Sequence, residues 1–173
     1  MGVISREAFD KMTTFSQYVD LMKANKDQMA QFTDEVSISD EDVAWWKSQG
    51  KINVVVLTFD GCGDALYNIP IIAKIGKLAS NVDVRVIQRD DNLDIMNKYL
   101  NQGQFQSVPT FIFLDENLNE IGNLKERASD MTKIMEAEML AARRQARVTH
   151  KDAWRTLMSK ELRATVAEKK QSP

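Results

Sequence analysis

Val54-Val55-Val56-Leu57-Thr58-Phe59 runs through Asp60-Gly61 into Cys62-Gly63-Asp64-Ala65-Leu66. The first six residues are β-favouring and nearly all apolar, which predicts a central strand covered on both faces. Asp60-Gly61 is turn chemistry that ends it. Beyond the turn, Leu66, Ile69, Ala73 and Leu78 recur at helical spacing, so the chain passes from strand to helix at Cys62, its single cysteine. A sulfur in the first turn of a helix lies near unpaired N–H groups and the positive end of the helix dipole, which favour thiolate over thiol. Gly63 and Asp64 are the expected first-turn donors. Asp60 and Asp64, each two residues from the sulfur, act the other way if they face it, because a second negative charge is then disfavoured. Asp64 has an alternative use, accepting backbone N–H bonds as a cap.

Working outward, Val82, Val84 and Val86 alternate with polar residues, so strand, helix and strand read as a parallel βαβ crossover. A helix is expected from about Leu93 to Asn101, with Leu93, Met96 and Leu100 on one face and Gly103 as its stop. Asp90, Asp91 and Asp94 lack the glycine and terminal glutamate of a calcium loop and read as acids at that helix start. Thr110 to Leu114 predicts a strand, Asp115-Glu116-Asn117-Leu118-Asn119 a hairpin turn, and Glu120 to Leu124 a short antiparallel edge strand.

An apolar strand, a cysteine at a helix start, Pro70 within that helix and a long crossover to Val108-Pro109-Thr110 come in the order found in thioredoxins. From about Ile52 to about Gly122 the chain resembles that family, with Asp90 and Asn97-Lys98-Tyr99 where thioredoxins place an Asp and a Lys-Tyr pair. The resemblance implies an α/β, thioredoxin-like three-layer fold with a central mixed β-sheet, an N-terminal helical extension and a C-terminal helical tail. It also implies a cis Val108–Pro109 bond, with the proline ring against the Cys62 sulfur and the Val108 backbone free to pair with an extended peptide. The plainer reading of Pro109 is a proline that starts a strand.

Departures from the family pattern narrow the function. Gly61 stands where thioredoxins have tryptophan, and Ala65 where they have the second cysteine, so no resolving thiol exists in the chain. The position of the buried proton-handling carboxylate is Val56, and that of its lysine neighbour is Val86. What the resemblance implies is monothiol thiol–disulfide exchange in cell redox homeostasis, with Cys62 as nucleophile and Gly61, Gly63, Asp64, Val108 and Pro109 around the substrate. The partner would be a protein disulfide or a low-molecular-weight thiol. The rival expectation is a catalytically inactive thioredoxin-fold module kept for binding or scaffolding, so enzyme status stays open at this point.

Three stretches are expected within one structural domain: helices over 1–50 that pack on the core, the thioredoxin-like core over 51–124, and a helical extension over 125–173. Phe9, Met12, Phe15, Val19 and Met22 give an amphipathic stripe from Arg6 to about Lys23. Ser39 followed by Asp40-Glu41-Asp42 predicts an N-capped short helix through Trp45-Trp46, ending before Gly50, whose tryptophans fill space beside the sheet. After Leu124, Met131, Ile134, Met135 and Leu140 suggest one helix. Trp154, Leu157, Met158, Leu162 and Val166 suggest another, opened by Thr149 with Asp152 behind it. Such faces serve the chain's own core or a homodimer arm.

A net charge of −2 gives no reason to expect nucleic acid, and Arg143-Arg144-Gln145-Ala146-Arg147 is short and offset by Glu136 and Glu138. No apolar run is long enough to span a bilayer, and Met1-Gly2-Val3-Ile4-Ser5-Arg6-Glu7 has neither a signal-peptide core nor the residue a myristoylation motif needs at Arg6. A cytoplasmic protein without a membrane partner is expected. His150 lies far from Cys62 in the charged tail and reads as a helix-surface residue. The nine methionines fall mainly on apolar faces as space-fillers, and no metal or cofactor is expected.

Overall fold

Every residue of the strand Ile52–Thr58 is buried, as a strand with cover on both faces must be. In the computed structural model, which describes residues 4–138 and 142–170, that strand is the middle of a five-stranded sheet. Met1-Gly2-Val3, Leu140, Pro173 and the side chains of Arg143 and Arg144 lie outside the described residues. In chain order come α1 (Arg6–Lys11), β1 (Thr13–Thr14), α2 (Phe15–Leu21), α3 (Lys26–Glu35), α4 (Asp40–Ser48) and β2 (Ile52–Thr58). They are followed by α5 (Gly63–Leu78), β3 (Val82–Gln88), α6 (Leu93–Met96), β4 (Thr110–Leu114) and β5 (Glu120–Lys125). The chain ends in α7 (Ser129–Glu136), α8 (Arg143–Thr149) and α9 (Lys151–Lys170).

The sheet order is β1-β3-β2-β4-β5, with β2 and β3 parallel and the other pairs antiparallel. Alternation along β2 sorts its side chains to opposite faces. Val54 and Val56 join Ile69, Ile72, Phe111, Trp154 and Leu162 on one side, while Val55 and Leu57 join Phe9, Ile95, Met96 and Ile112 on the other. Helices on both faces of a mixed sheet make the three-layer α/β architecture. The larger cluster also takes Met29 and Trp46 from residues 1–50 and Met131, Met158 and Val166 from residues 125–173.

Tertiary forces overrule the local pattern in several places. The stripe from Arg6 to Lys23 is two helices, because Thr13 and Thr14 pair antiparallel with Val86 and Arg85 and the Thr13 hydroxyl donates to the Val86 carbonyl. Thr14 then caps α2 in a capping box with Gln17. The break lets Phe9 enter the core on one face of the sheet and Tyr18 the core on the other, which one straight helix could not do. Helix α3 has no strong apolar stripe in sequence and starts at Asn25, held left-handed at φ 60°. Helix α6 ends at Met96 rather than near Asn101; the chain turns there, with Gln102 and Gly103 left-handed and Asn101 bridged to Phe105. Leu93 and Leu78 are exposed, so neither belongs to the buried face expected of it.

Other elements form as their sequence suggests. Ser39 accepts from the Asp42 N–H and caps α4, and Trp46 is wholly buried, stacked on Phe113 with centroids 6.4 Å apart. The Asp115 carboxylate accepts the N–H groups of Asn117 and Asn119 to close the hairpin. In the tail, Trp154, Met158, Leu162 and Val166 are all 0 % exposed, packed into this chain's own core. Trp154 Nε1 donates to Asn68 Oδ1 of α5, and Glu35 of α3 receives both Lys151 and Arg155.

Candidate active site

Cys62 is the N-cap of α5, its own N–H donating to the Phe59 carbonyl at 3.1 Å and its carbonyl accepting the Leu66 N–H at 3.3 Å. The β2 strand and the helix therefore fix its backbone from both sides. Its Sγ donates to the Val108 carbonyl at 3.3 Å, and the Val108–Pro109 peptide is cis. The sulfur and the Val-Pro segment, 46 residues apart along the chain, meet at one point. Two further bonds hold that loop: Thr110 Oγ1 to the Ser107 carbonyl and the Glu126 N–H to the Pro109 carbonyl, both 2.7 Å.

The thiol is half-buried, and the balance of forces on it differs from the helix-start argument. Burial pushes its pKa up; the backbone N–H of Ala65 pulls it down, the Asp64 charge pushes it up, and the Asp64 N–H and Arg147 pull it down, with the net direction up. The donors facing the sulfur are thus the N–H groups of Ala65 and Asp64, one position later than Gly63 and Asp64. Removing the thiolate from water outweighs the helix N-terminus here.

The two flanking aspartates part ways: the Asp64 charge raises the thiol pKa as expected, while Asp60 is engaged elsewhere. Asp60 turns to the N-terminal segment, accepting the Lys23 N–H at 2.8 Å and Gln88 Nε2 at 2.7 Å. Burial and that carboxylate together hold the neighbouring Tyr18 phenol protonated, well above its ordinary range. Asp64 is buried, and its carboxylate is shared by two arginines instead of capping the helix: Arg127 on Oδ2, and Arg147 on Oδ1 at 3.3 Å. Burial is the largest single effect on Arg127 and acts against its charge, but the bond to Asp64 together with the charges of Asp64 and Glu126 outweighs it and the guanidinium pKa rises.

The two glycines beside Cys62 make room. A Cβ on Gly61 would stand 2.8 Å from the Phe59 ring, and one on Gly63 would stand 3.0 Å from Arg147 Nη1. Gly61 sits where a tryptophan would overlap Phe59, which packs with Cys62 against the same apolar cluster and carries Arg89 over its ring. Val56 and Val86, both 0 % exposed, are register partners in the sheet, so no proton-handling side chain stands at either position. Tyr99 donates to Glu120 Oε2 at 3.0 Å and ties the α6 region to β5. His150 lies at the C-terminus of α8.

Sequence reasoning did not anticipate Arg127, Arg147 or Tyr18 as neighbours of the thiol. One signal was present: an aspartate in the first turn of an otherwise apolar buried helix needs a counter-charge. Nothing local says which arginine supplies it. Among the described residues no group of three or more His, Cys, Asp or Glu side chains gathers as metal ligands would, and no helix is long and apolar enough to cross a membrane.

A sequence-family model described as Thioredoxin matches residues 12–152, a span that reaches beyond Ile52 to Gly122 into both flanking helical regions, from after α1 to the start of α9. Among solved structures, a protein of unknown function from Pseudomonas aeruginosa superposes with a TM-score of 0.75 at 18% identity, covering 95% of this chain and 98% of that one. An HIV epitope-scaffold superposes with a TM-score of 0.71 at 16% identity, again over 95% and 98% of the two chains. Likeness at such identities establishes the fold alone. No curated protein matches the sequence.

Proposed function

The chain belongs to the thioredoxin family, and from that premise we propose that it carries out monothiol thiol–disulfide exchange through Cys62. The observation that carries the reading is the 3.3 Å contact between Cys62 Sγ and the Val108 carbonyl beside the cis Val108–Pro109 peptide, which sets a half-buried sulfur against the bend that leads into β4. The Cys62 thiol loses its proton to solvent, since Val56 and Val86 offer no acceptor. The thiolate attacks one sulfur of a substrate disulfide, forming a Cys62 mixed disulfide and expelling the other sulfur as thiolate, which takes up a proton. A second thiol, from a low-molecular-weight compound or another protein, then attacks the mixed disulfide and returns Cys62 as thiolate. Ala65 cannot do this, so the second thiol comes from outside the chain. Gly61, Gly63, Asp64, Val108 and Pro109 surround the bond-forming sulfur, and a reducing, cytoplasmic setting would supply the second thiol.

The raised thiol pKa makes exchange slow at neutral pH and faster as pH rises toward it, because only the thiolate attacks. Intact mass of protein isolated without reductant tests the reading directly, together with incubation in a small-molecule disulfide over a range of pH. An adduct on Cys62, abolished in Cys62→Ser, is expected; an unmodified thiol at every pH refutes it. A second reading draws on the same raised pKa and on the apolar Val56 and Val86: a thioredoxin-fold module for binding or scaffolding, with Cys62 inert. Under it, Cys62→Ser leaves partner capture intact, whereas loss of capture at unchanged stability excludes it.

A further inference from the structure

We propose that Arg127 and Arg147, brought in by the chain beyond the hairpin, are positioning residues that clamp Asp64 and neutralise it beside the Cys62 sulfur. The inference rests on the exchange reading for its purpose: it names what regulates the nucleophile of that reaction. Asp64 cannot avoid the site, because its own N–H faces the sulfur from the first turn of α5. A bare buried carboxylate there would disfavour the thiolate and would itself be costly to bury unpaired. Arg127, just past β5, takes Oδ2, and Arg147 of α8, 83 residues from Asp64, takes Oδ1 at 3.3 Å. Gly63 is the space through which the second guanidinium reaches the helix start, since any Cβ there would meet Arg147 Nη1 at 3.0 Å.

The other charges around the thiol are accounted for. Glu126 pairs with Arg127 at 3.3 Å, Asp60 turns away to two neutral donors, the Lys23 backbone N–H and Gln88 Nε2, and Tyr18 stays neutral through burial and the neighbouring Asp60. Asp64 and Glu126 are thus balanced by Arg127 and Arg147, and losing either arginine leaves a net negative charge next to the sulfur. The ion pairs are mostly out of water, where salt screens them little. Docking of the tail thereby reaches the chemistry of Cys62 without contributing an atom to the reaction.

The test is the rate of iodoacetamide alkylation of Cys62 against pH in the full-length protein. Arg147→Met keeps the length of the side chain and removes its charge; its midpoint should move to higher pH, with alkylation at neutral pH slowed roughly threefold or more. Arg147→Lys should restore most of the rate. Gly63→Ala, which keeps every charge and displaces the guanidinium, should shift the midpoint in the same direction by less, and it decides the matter if Arg147→Met does not fold. Unmoved midpoints in folded variants overturn the inference, as does a Lys variant that behaves like Met. The exchange reading fails separately, through absence of a mixed disulfide in the unaltered protein.

Discussion

Replacing Trp154 should reveal whether the C-terminal helix is part of the folded unit. Its indole is fully buried, lies 5.4 Å from the Tyr67 ring centroid and donates Nε1 to Asn68 Oδ1. A tryptophan side chain buries about 200 Å², worth about 5 kcal/mol at about 25 cal/mol per Å², in line with about 3–5 kcal/mol for large-to-small core changes. The Asn68 oxygen loses its donor as well, adding about 1–3 kcal/mol where no water replaces it. Asn68 is also held at its other end, donating Nδ2 to the Glu126 carbonyl at 2.7 Å, so it cannot swing out to solvent without breaking a second bond. Trp154→Ala should therefore cost about 4–8 kcal/mol. Trp154→Phe keeps a ring against Tyr67 and should cost about 2–3 kcal/mol, chiefly the hydrogen bond and the lost indole volume. At this chain length each kcal/mol lowers Tm by about 2–4 °C. Urea unfolding followed by circular dichroism gives both values. A Trp154→Ala cost below about 1 kcal/mol, at unchanged denaturant slope, would refute the reasoning and reduce α9 to a loosely docked appendage.

Two more outcomes follow from particular contacts. Ala65→Cys restores a second thiol three positions from Cys62; oxidation should then yield an intramolecular disulfide, read as the loss of two hydrogens by mass, with turnover in a disulfide-reduction assay. Ala65 is 1 % exposed, so overpacking should cost about 1–3 kcal/mol, and a variant that forms no disulfide would show that more than the resolving thiol is lacking. Glu35, whose carboxyl is pulled down to about 2 by Lys151, Gln31 and Arg155, is ionised in the folded state where a free glutamate would already be protonated. Its contribution is present above the ordinary glutamate pKa near 4.5 and is lost as pH falls toward 2, so Glu35→Gln should be less stable than the unaltered chain at neutral pH and indistinguishable from it near pH 2. A stability difference that persists at the acid end would contradict this.

Much of the fold is legible because the signals are local. The apolar run of β2, the alternation of Val82, Val84 and Val86 and the Ser39 cap each report on contacts within a few residues. The stripe from Arg6 to Lys23 misleads because its break is a bargain with a distant strand edge: Thr13 and Thr14 gain backbone partners on β3 that a continuous helix would forgo. Helix α6 is shorter than its apolar spacing suggests because Leu93 stays in solvent and the chain turns through left-handed Gln102 and Gly103, while Tyr99 reaches the core from outside the helix. The tail could serve two uses by periodicity alone, and the sites left by α5 and β5 accept its Trp154, Met158, Leu162 and Val166.

By itself the amino-acid order determined that a lone sulfur stands where a buried strand turns into a helix, with no second thiol, because these are matters of identity and near-neighbour spacing; that Val56 and Val86 replace proton-handling residues came from the likeness to thioredoxins. The tertiary structure decided what surrounds that sulfur: the Val108 carbonyl from 46 residues away, the arginines on Asp64 from 63 and 83 residues away, and the degree of burial that keeps the thiol protonated. Desolvation and Coulomb energies depend on distance through space, and separation along the chain carries no measure of it.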